Sequence, residues 1–334
     1  MNLRLILICH LPQFLLFTLT FYFLYFYVSV PRFIRPCTSG TATRLTSKCD
    51  ITINNSYTEN NRLMTADAQD IIAMSQIPSP LPPEHPLSRT LWNFPSQWFL
   101  IPQGTGIVGL ILYRLDYQFN GLHTLAKIVW IYTIVLLGLV LFLYILRILV
   151  YPRHVCQQLR ISLIETSCLS SISIAITSIL QLASLTYGGH AGLPIYILWW
   201  FNTALSVIAC LGIPYIQLMF QPPEIHSNFL PPSILLPFIA ALTSAAGGGT
   251  ICRTADISPR LQVPALIVSY LEVGMGLALA AAVYTLILYQ HLHHIHPPPD
   301  KVYQDMILCG PFGQGSFALQ ILGEAVVKRQ FRQV

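Results

Sequence analysis

A run of small and ring-closed residues interrupts a hydrophobic segment near the carboxyl end of the chain. The stretch "DMILCGPFGQGSFALQILG" contains Gly310, Pro311, Gly313, Gln314 and Gly315 within six positions. Glycine lets a ligand approach the backbone closely, and proline interrupts the hydrogen bonding of a helix. Backbone N–H groups freed in this way, together with the positive end of a helix dipole, suit an anion. These five residues are therefore predicted to line an anion pathway.

Three further apolar segments carry the same kind of residues. They contain the stretches "FPSQWFLIPQGTGIVG", "TSCLSSISIAITS" and "PPSILLPFIAALTSAAGGGT". Carboxylates are scarce along them, whereas a cation pathway more often carries rings of carboxylates. These segments supply the remaining predicted pathway residues, which are Gly104, Thr105, Gly106, Ser170, Ser171, Pro237, Gly247 and Gly248.

The composition of the chain requires a membrane around these segments. Of its 334 residues, 54% are hydrophobic and only 9% are charged, whereas soluble domains carry roughly a quarter charged residues. Charge-poor windows long enough to cross a bilayer as helices predict seven spans. They are Leu91–Tyr113, Ile128–Leu146, a stretch Thr166–Pro223 that the turn at Tyr187–Pro194 divides in two, Ser233–Cys252, Val263–Tyr289 and Met306–Val327. The predicted fold class is an all-α integral membrane protein.

Outside these spans the chain is expected to hold three other parts. Residues 1–30 are hydrophobic and predict an extra span or an anchor, residues 31–90 are polar and predict a disordered linker, and residues 328–334 form a basic tail after the core at 91–327. The net charge is +5, without a basic patch interleaved with aromatic residues, so no nucleic-acid partner is expected. The eight cysteines form no CxxC pair, and neither a cofactor nor a metal site is predicted.

The predicted spans alternate in chemistry along the chain. The second and fourth are bulky and apolar, whereas the first, third, fifth and seventh carry the proline, glycine and hydroxyl residues. In lipid, freed backbone groups are costly unless they face protein or a water-filled cavity. The odd spans are therefore predicted to form an inner ring around a central pore, with the even spans outside. The alternative is that the small residues simply allow helices to pack closely.

At these same residues the sequence resembles the tellurite-resistance/dicarboxylate transporter family, in its fungal sulfite efflux pump and malate permease branch. The similarity rests on "FPSQWFLIPQGTGIVGLIL", the pair Trp199–Trp200, "SYLEVGMGLALA" and "LCGPFGQGSFALQILG". It implies a ring of five helical hairpins with the odd helices inside, often as a homotrimer with one pore per subunit. It also implies transport of small anions across the plasma membrane without ATP hydrolysis. Sulfite efflux is the main expectation, and transport of malate or another C4-dicarboxylate is the alternative.

The resemblance covers about residues 90–325, which corresponds to seven of the ten family helices. The last three are expected to be missing, and no gate residue is assigned, because the gating phenylalanine of the family is expected on the ninth. The third span also has "CLSSISIA" where a proline-containing stretch is usual. A non-functional truncated transporter and a seven-helix receptor remain alternatives. An enzyme is not expected, since the chain has no HExxH or GxSxG motif and no facing acid–base pair.

Positive charges in the first half of the chain predict an orientation in the membrane, and those in the second half disagree with it. Arg89 before the first core helix, and the arginines between the second and third, place the start of that helix in the cytoplasm. Arg253, Arg260 and the basic tail then lie outside, where the positive-inside rule does not expect them.

Two glutamates and a histidine cluster stand in or near the apolar segments. Glu165, near Arg160, is expected to snorkel or to form an ion pair, and Glu272 to bond to a neighbouring helix. The histidines of "HLHHIHPPPD" predict a solvated loop in preference to a metal site.

Overall fold

The computed structural model describes residues 86–115, 117–220, 230–293 and 299–332, and the regular elements of these residues are helices. The α-helices are α1 (Pro86–Trp92), α2 (Leu100–Arg114), α3 (Leu122–Val150), α4 (Pro152–Ile161), α5 (Leu163–Cys168), α6 (Ser171–Tyr187), α7 (Gly192–Phe220), α8 (Leu236–Thr254), α9 (Pro259–Leu292) and α10 (Gly310–Arg332). Short 3-10 helices at Ser96–Phe99, Pro232–Leu235 and Pro299–Cys309 precede α2, α8 and α10. The prediction of an all-α fold is confirmed.

Five of the predicted spans have the length and hydropathy needed to cross a membrane within the described residues. They are Leu122–Val150, Leu163–Tyr187, Gly192–Met219, Pro232–Thr254 and Pro259–Leu292, so the chain is a multi-pass membrane protein. The other two predicted spans correspond to α2 and α10. Helix α2 has 15 residues after its 3-10 turn, and α10 is less apolar because it carries glycine, glutamine and, at its end, several charges.

Burial confirms the alternation of inner and outer helices from α3 to α9, whereas α2, with four of its 15 residues buried, is no more buried than α3. The window of α8 is 94% buried and that of the α5–α6 segment is 67% buried, against 28% for α3, 39% for α7 and 33% for α9. We call α2, α6, α8 and α10 the inner helices, and α3, α7 and α9 the outer helices. The outer helices carry long aliphatic and aromatic side chains, which lipid can cover, whereas the small residues of α8 have protein on every side.

The inner helices all run in the same direction. Contacts advance along both partners of each neighbouring pair: Gly106 lies on Ser178 and Tyr113 on Leu185, Thr177 on Gly247 and Ser184 on Thr254, Gly310 on Ile239 and Gly249 on Ile321. Each outer helix returns the chain to the side from which the next inner helix starts. This is the hairpin arrangement predicted for the fold.

Each inner segment changes its helical geometry near its start. Prolines stand in the first turns of α2, α8 and α10, where a missing N–H removes no helical hydrogen bond, and a 3-10 helix precedes each of the three. The third segment reaches the same geometry without proline. Its backbone bonds tighten to Ser170 N→Ser167 O and Ser173 N→Ser170 O, at 3.2 and 3.1 Å, while Ser170 Oγ donates to Ser167 O at 2.7 Å. Serine thus replaces the proline that the resemblance leads one to expect.

Both buried glutamates are bonded to neighbouring helices, as predicted. Glu165 forms an ion pair with Arg147 of α3, Nη1 to Oε1, at 2.6 Å, so its partner is Arg147 and not the nearby Arg160. Glu272 of α9 accepts a hydrogen bond from Ser206 of α7 at 2.7 Å. Each carboxylate therefore bonds an outer helix to a neighbouring helix.

Several predictions fall on residues that are not described. The segment 1–30 and most of the linker 31–90 lie outside the described residues, although residues 86–90 of that linker begin α1, and α10 extends through Arg332 of the predicted basic tail. Of the histidine cluster, His294 and His296 lie outside them, while His291 Nε2 stands 3.8 Å from Asp305 Oδ2. The described residues hold no cluster of ligands that fits a metal ion.

Replacing Gly106 by alanine is expected to destabilise the packing of α2 against α6. The added carbon would stand 2.1 Å from Ser178 Oγ, and this hydroxyl is held in place by its bond to Ala175 O at 2.8 Å. Overpacking of this kind costs about 1–3 kcal/mol of unfolding free energy. Thermal unfolding of the purified protein in detergent measures the loss.

The matched control is Gly104→Ala, two residues away on the same helix. An added carbon there meets no atom within 4 Å, and alanine favours a helix over glycine by about 1 kcal/mol. Gly104→Ala should therefore unfold at the wild-type temperature or above it. Equal unfolding temperatures for the two variants would contradict the packing proposed for Gly106.

Candidate anion-binding cavity

A cavity of about 400 Å³ lies between the four inner helices. Its apolar lining consists of Ile107, Leu110, Ile111, Leu115 and Phe317. Its polar lining comes from all four inner helices and consists of Arg114, Ser178, Gln181, Thr243 and Gln314. Apolar walls with a few convergent polar groups are typical of a small-molecule site.

Arg114 is the cation of this cavity. It is the last residue of α2, and side chains on a helix lean toward the helix start, which directs its guanidinium inward. Its Nη2 donates to Thr250 Oγ1 of α8 at 3.2 Å, and the guanidinium carbon lies 5.3 Å from the centre of the Phe317 ring. No carboxylate of the described residues forms an ion pair with it. A half-buried guanidinium without an ion-pair partner favours an anion in direct contact with it.

Gln181 adds an unused donor to the same cavity. The residue is 1% exposed, and its Nε2 has no acceptor among the described residues. The hydroxyl hydrogens of Ser178 and Thr243 are already committed to Ala175 O and Ile239 O, at 2.8 and 2.7 Å. Solute in the cavity therefore meets the half-buried guanidinium of Arg114 and the half-buried amide of Gln314, whereas Gln181 Nε2 has almost no accessible surface and becomes a donor to the solute only when its side chain turns.

Of the predicted pathway residues, Gln314 lies on this cavity. Gly313 and Gly104 are exposed, and a side chain at either position would meet no atom within 4 Å. Gly310 and Gly315 contact neighbouring helices, since an added carbon would stand 2.6 Å from Ile239 and from Leu277, respectively. Pro311 is buried in the first turn of α10, so the predicted interruption is the start of that helix.

The predicted residues on α8 and at the start of α6 are buried among helices. Added carbons on Gly247 and Gly248 would stand 2.7 Å from Thr177 and 2.2 Å from Ser269. Pro237 is buried in the first turn of α8, and Ser170 and Ser171 are 1% and 0% exposed. These contacts agree with the alternative interpretation, in which small residues permit close packing.

The two remaining predicted residues, on α2, connect α2 to its neighbours. Gly106 allows the close approach to Ser178, and Thr105 Oγ1 accepts from Thr133 Oγ1 of α3 at 3.3 Å while donating to its own helix. A role of these residues in the pathway stays a prediction, as it does for the α6, α8 and α10 residues outside the cavity.

Sequence reasoning did not single out Arg114, Gln181 or Thr243, and it noted Ser178 only as one of the hydroxyl residues of the third span. Arg114 directly follows the predicted span Leu91–Tyr113. The available signal was its place at the end of an inner helix rather than in a loop. Gln181 also carried a signal, since it is the one amide of an otherwise hydroxyl-rich segment that has no charged residue.

Several fungal transport proteins are similar in sequence to this chain. The sulfite efflux pumps of Arthroderma benhamiae and Trichophyton rubrum are each 27% identical to the chain over 242 residues, which cover 72% of the chain and 64% of either pump. The malic acid transport protein of Schizosaccharomyces pombe is 34% identical over 136 residues, 39% of the chain and 30% of that protein. The chain thus spans 64% of the length of the sulfite pumps it matches. No solved structure matches it.

A family model, described as that of the voltage-dependent anion channels, matches residues 93–333. The family and its fungal sulfite and malate branch are those that the sequence motifs predict. The match begins before α2 and continues to the end of α10, so every residue that lines the cavity falls inside it. The chain belongs to the voltage-dependent anion channel family.

Proposed function

We propose that this protein moves small anions across the plasma membrane, and that its main cargo is sulfite leaving the cell. The observation that carries the proposal is Arg114, a guanidinium inside a cavity of the inner helices without a described carboxylate partner. A transported anion supplies the missing counter-charge. Transport of this kind requires binding and release, and no bond is made or broken in the cargo.

The cavity is suited to an anion that must bind and then leave. Arg114 offers charge-assisted hydrogen bonds to an oxyanion, and Gln314 offers a neutral donor. The apolar lining residues Ile107, Leu110 and Phe317 offer neither. Passage requires attraction strong enough for entry and weak enough for exit. One cation, a few amides and an apolar lining provide that balance.

Relatives favour sulfite over malate by identity across matches of similar length. The sulfite efflux pump of Arthroderma benhamiae is 27% identical over 72% of the chain, whereas a putative malic acid transport protein of Schizosaccharomyces pombe is 22% identical over 75%. The malic acid transport protein of the same organism matches a shorter part, 39% of the chain. That shorter match is the more identical one, at 34% against 27%, and it favours a C4-dicarboxylate as the second candidate. A volume of about 400 Å³ admits either anion, so size does not select between them.

Expression in a fungal cell that lacks its own sulfite exporter tests the proposal. Sulfite tolerance and malate uptake are measured in parallel, with membrane insertion checked by fractionation. Rescue of sulfite tolerance alone is the expected result, and malate uptake without sulfite tolerance would select the second candidate. Failure of both, with the protein inserted in the plasma membrane, would contradict transport by this chain.

The family resemblance also supports a homotrimer with one pathway per subunit. Each subunit contains its own cavity between its own inner helices, so the cavity itself does not require a partner. Mass measurement of the protein extracted in a mild detergent tests the assembly. A uniformly monomeric species that still transports would contradict the trimer and leave the pathway unaffected.

A further inference from the structure

Positive side chains gather at the end of the bundle where α2, α8 and α10 terminate. Arg114 ends α2, Arg253 lies in the last turn of α8, and Lys328 lies in the last turns of α10. The predicted orientation places this end outside the cell. The positive-inside rule does not explain cations there, so they call for another explanation.

One acidic side chain stands among these cations. Glu324 of α10 forms an ion pair with Arg253, Oε2 to Nη1. Lys328 Nζ donates to the backbone oxygen of Arg253 at 2.7 Å, which fixes the ammonium beside the pair. The charges of Arg253 and Glu324 both act on the guanidinium of Arg114. The three cations and the one carboxylate therefore form a single electrostatic group, which includes the cavity residue Arg114.

We propose that Arg253 and Lys328, with Arg114 behind them, form an outer binding site for a doubly charged small anion, and that Glu324 occupies this site when no solute is bound. The proposal rests on the proposed function, because it supplies the entrance or exit of the same pathway. Among the described side chains, the group has three positive charges and one negative charge, a sum of +2. A dianion therefore neutralises it, and a monoanion does not.

The exposure of the ion pair makes Glu324 a replaceable ligand. The side chains of Arg253 and Glu324 are 42% and 40% exposed, and an exposed pair contributes little to stability because water screens it. A carboxylate from solution presents the same oxygens to the arginine fork as Glu324 does. Glu324 is thus a tethered competitor, and dissolved dianions must displace it.

Binding of malate and acetate at neutral pH tests the proposal, since both use carboxylates and only malate carries two. The full chain is reconstituted in phosphatidylcholine vesicles, and ligand affinity is taken from the shift of thermal unfolding with ligand concentration. Glu324→Gln should tighten malate binding several-fold by removing the competitor, and Arg253→Gln should weaken it about tenfold, as expected for a lost charge-assisted hydrogen bond. Acetate affinity should change in the same direction but by a smaller factor in both variants, because its single carboxylate neutralises only part of the charge of the group.

The same measurements in the Arg114→Gln background separate this proposal from the proposed function. This replacement lowers the charge of the group from +2 to +1, so malate should bind more weakly, but its affinity should still rise with Glu324→Gln although flux is lost. Unchanged malate affinity in both Glu324→Gln and Arg253→Gln would overturn the outer site, whatever happens to flux. An equal change for acetate would overturn its preference for dianions.

A lipid phosphate offers similar chemistry to these cations, and a second arm distinguishes it. Vesicles of phosphatidylglycerol replace those of phosphatidylcholine. If Glu324→Gln alters stability only in phosphatidylglycerol and leaves malate affinity unchanged in both lipids, the group binds lipid headgroups and the proposal is overturned. A malate effect that persists in phosphatidylcholine supports the site for a soluble dianion.

Discussion

Replacing Arg114 by glutamine is expected to reduce sulfite flux about 10- to 100-fold, the range that corresponds to losing a hydrogen bond to a charged group. Glutamine keeps a donor near Thr250 but removes the charge that the cavity offers to the solute. Folding should be preserved, since no described carboxylate is left unpaired by the change. Release of sulfite from preloaded vesicles measures the effect.

Two control variants show whether charge at this position is what matters. Arg114→Lys keeps the charge and loses the fork geometry, so it should retain part of the flux. Arg153→Gln removes the same charge from an exposed position on α4 and should leave flux unchanged. Wild-type flux in Arg114→Gln, with the protein folded, would exclude the cavity as the pathway.

The arrangement of helices was predictable because bilayer thickness and backbone hydrogen bonding constrain it strongly. Alternating bulky and small-residue segments predict which helices lie outside, and burial of α8 and exposure of α3 agree with this. Length and hydropathy do not identify α2 and α10 as spans, because α2 is short and α10 is rich in polar residues. Both helices line the cavity, and a helix that lines a polar cavity contains fewer apolar residues than one surrounded by lipid.

The central cation of the site was not predictable by the same route. Spans were delimited by the absence of charge, and the first therefore ended at Tyr113, one residue before Arg114. A criterion that ends each span at a charge excludes the residue that a transporter of anions needs. Only the direction of the side chain, inward along α2 toward Thr250, shows that Arg114 belongs to the cavity.

Glycine spacing could not distinguish a pathway from close packing, because both require small residues. Gly247 and Gly248 illustrate this on α8, since added side chains would meet α6 in one case and α7 and α9 in the other. A helix with neighbours on all sides needs glycine wherever a partner is bulky, and Trp199 is such a partner here. Sequence patterns identify the crowded helix, and only three-dimensional contacts show what crowds it.

Replacing Glu165 by glutamine is expected to destabilise the protein by about 3–5 kcal/mol, the usual cost of leaving a buried charge without its partner. Glutamine is nearly isosteric and its oxygen can still accept from Ser96 N, which stands 3.0 Å from Glu165 Oε2. The guanidinium of Arg147, with a side chain only 4% exposed, would lose its counter-charge. This pair connects the last turn of α3, the start of α5 and the 3-10 turn before α2. The detergent-solubilised protein is heated, and the fraction that stays folded at each temperature is measured by size-exclusion chromatography.

The matched controls are the exposed pair and the double replacement. Glu324→Gln removes a carboxylate from an ion pair that is about two-fifths exposed, and it should cost less than about 1 kcal/mol. Arg147→Met combined with Glu165→Gln removes both buried charges, keeps an acceptor for Ser96 N, and should be more stable than Glu165→Gln alone, since no charge is left unpaired in an apolar site. If Glu165→Gln costs no more than Glu324→Gln, the Arg147–Glu165 pair is not what joins the three elements, and the start of α2 must be held by the hydrogen bond from Ser96 Oγ to Glu165 O at 2.7 Å instead.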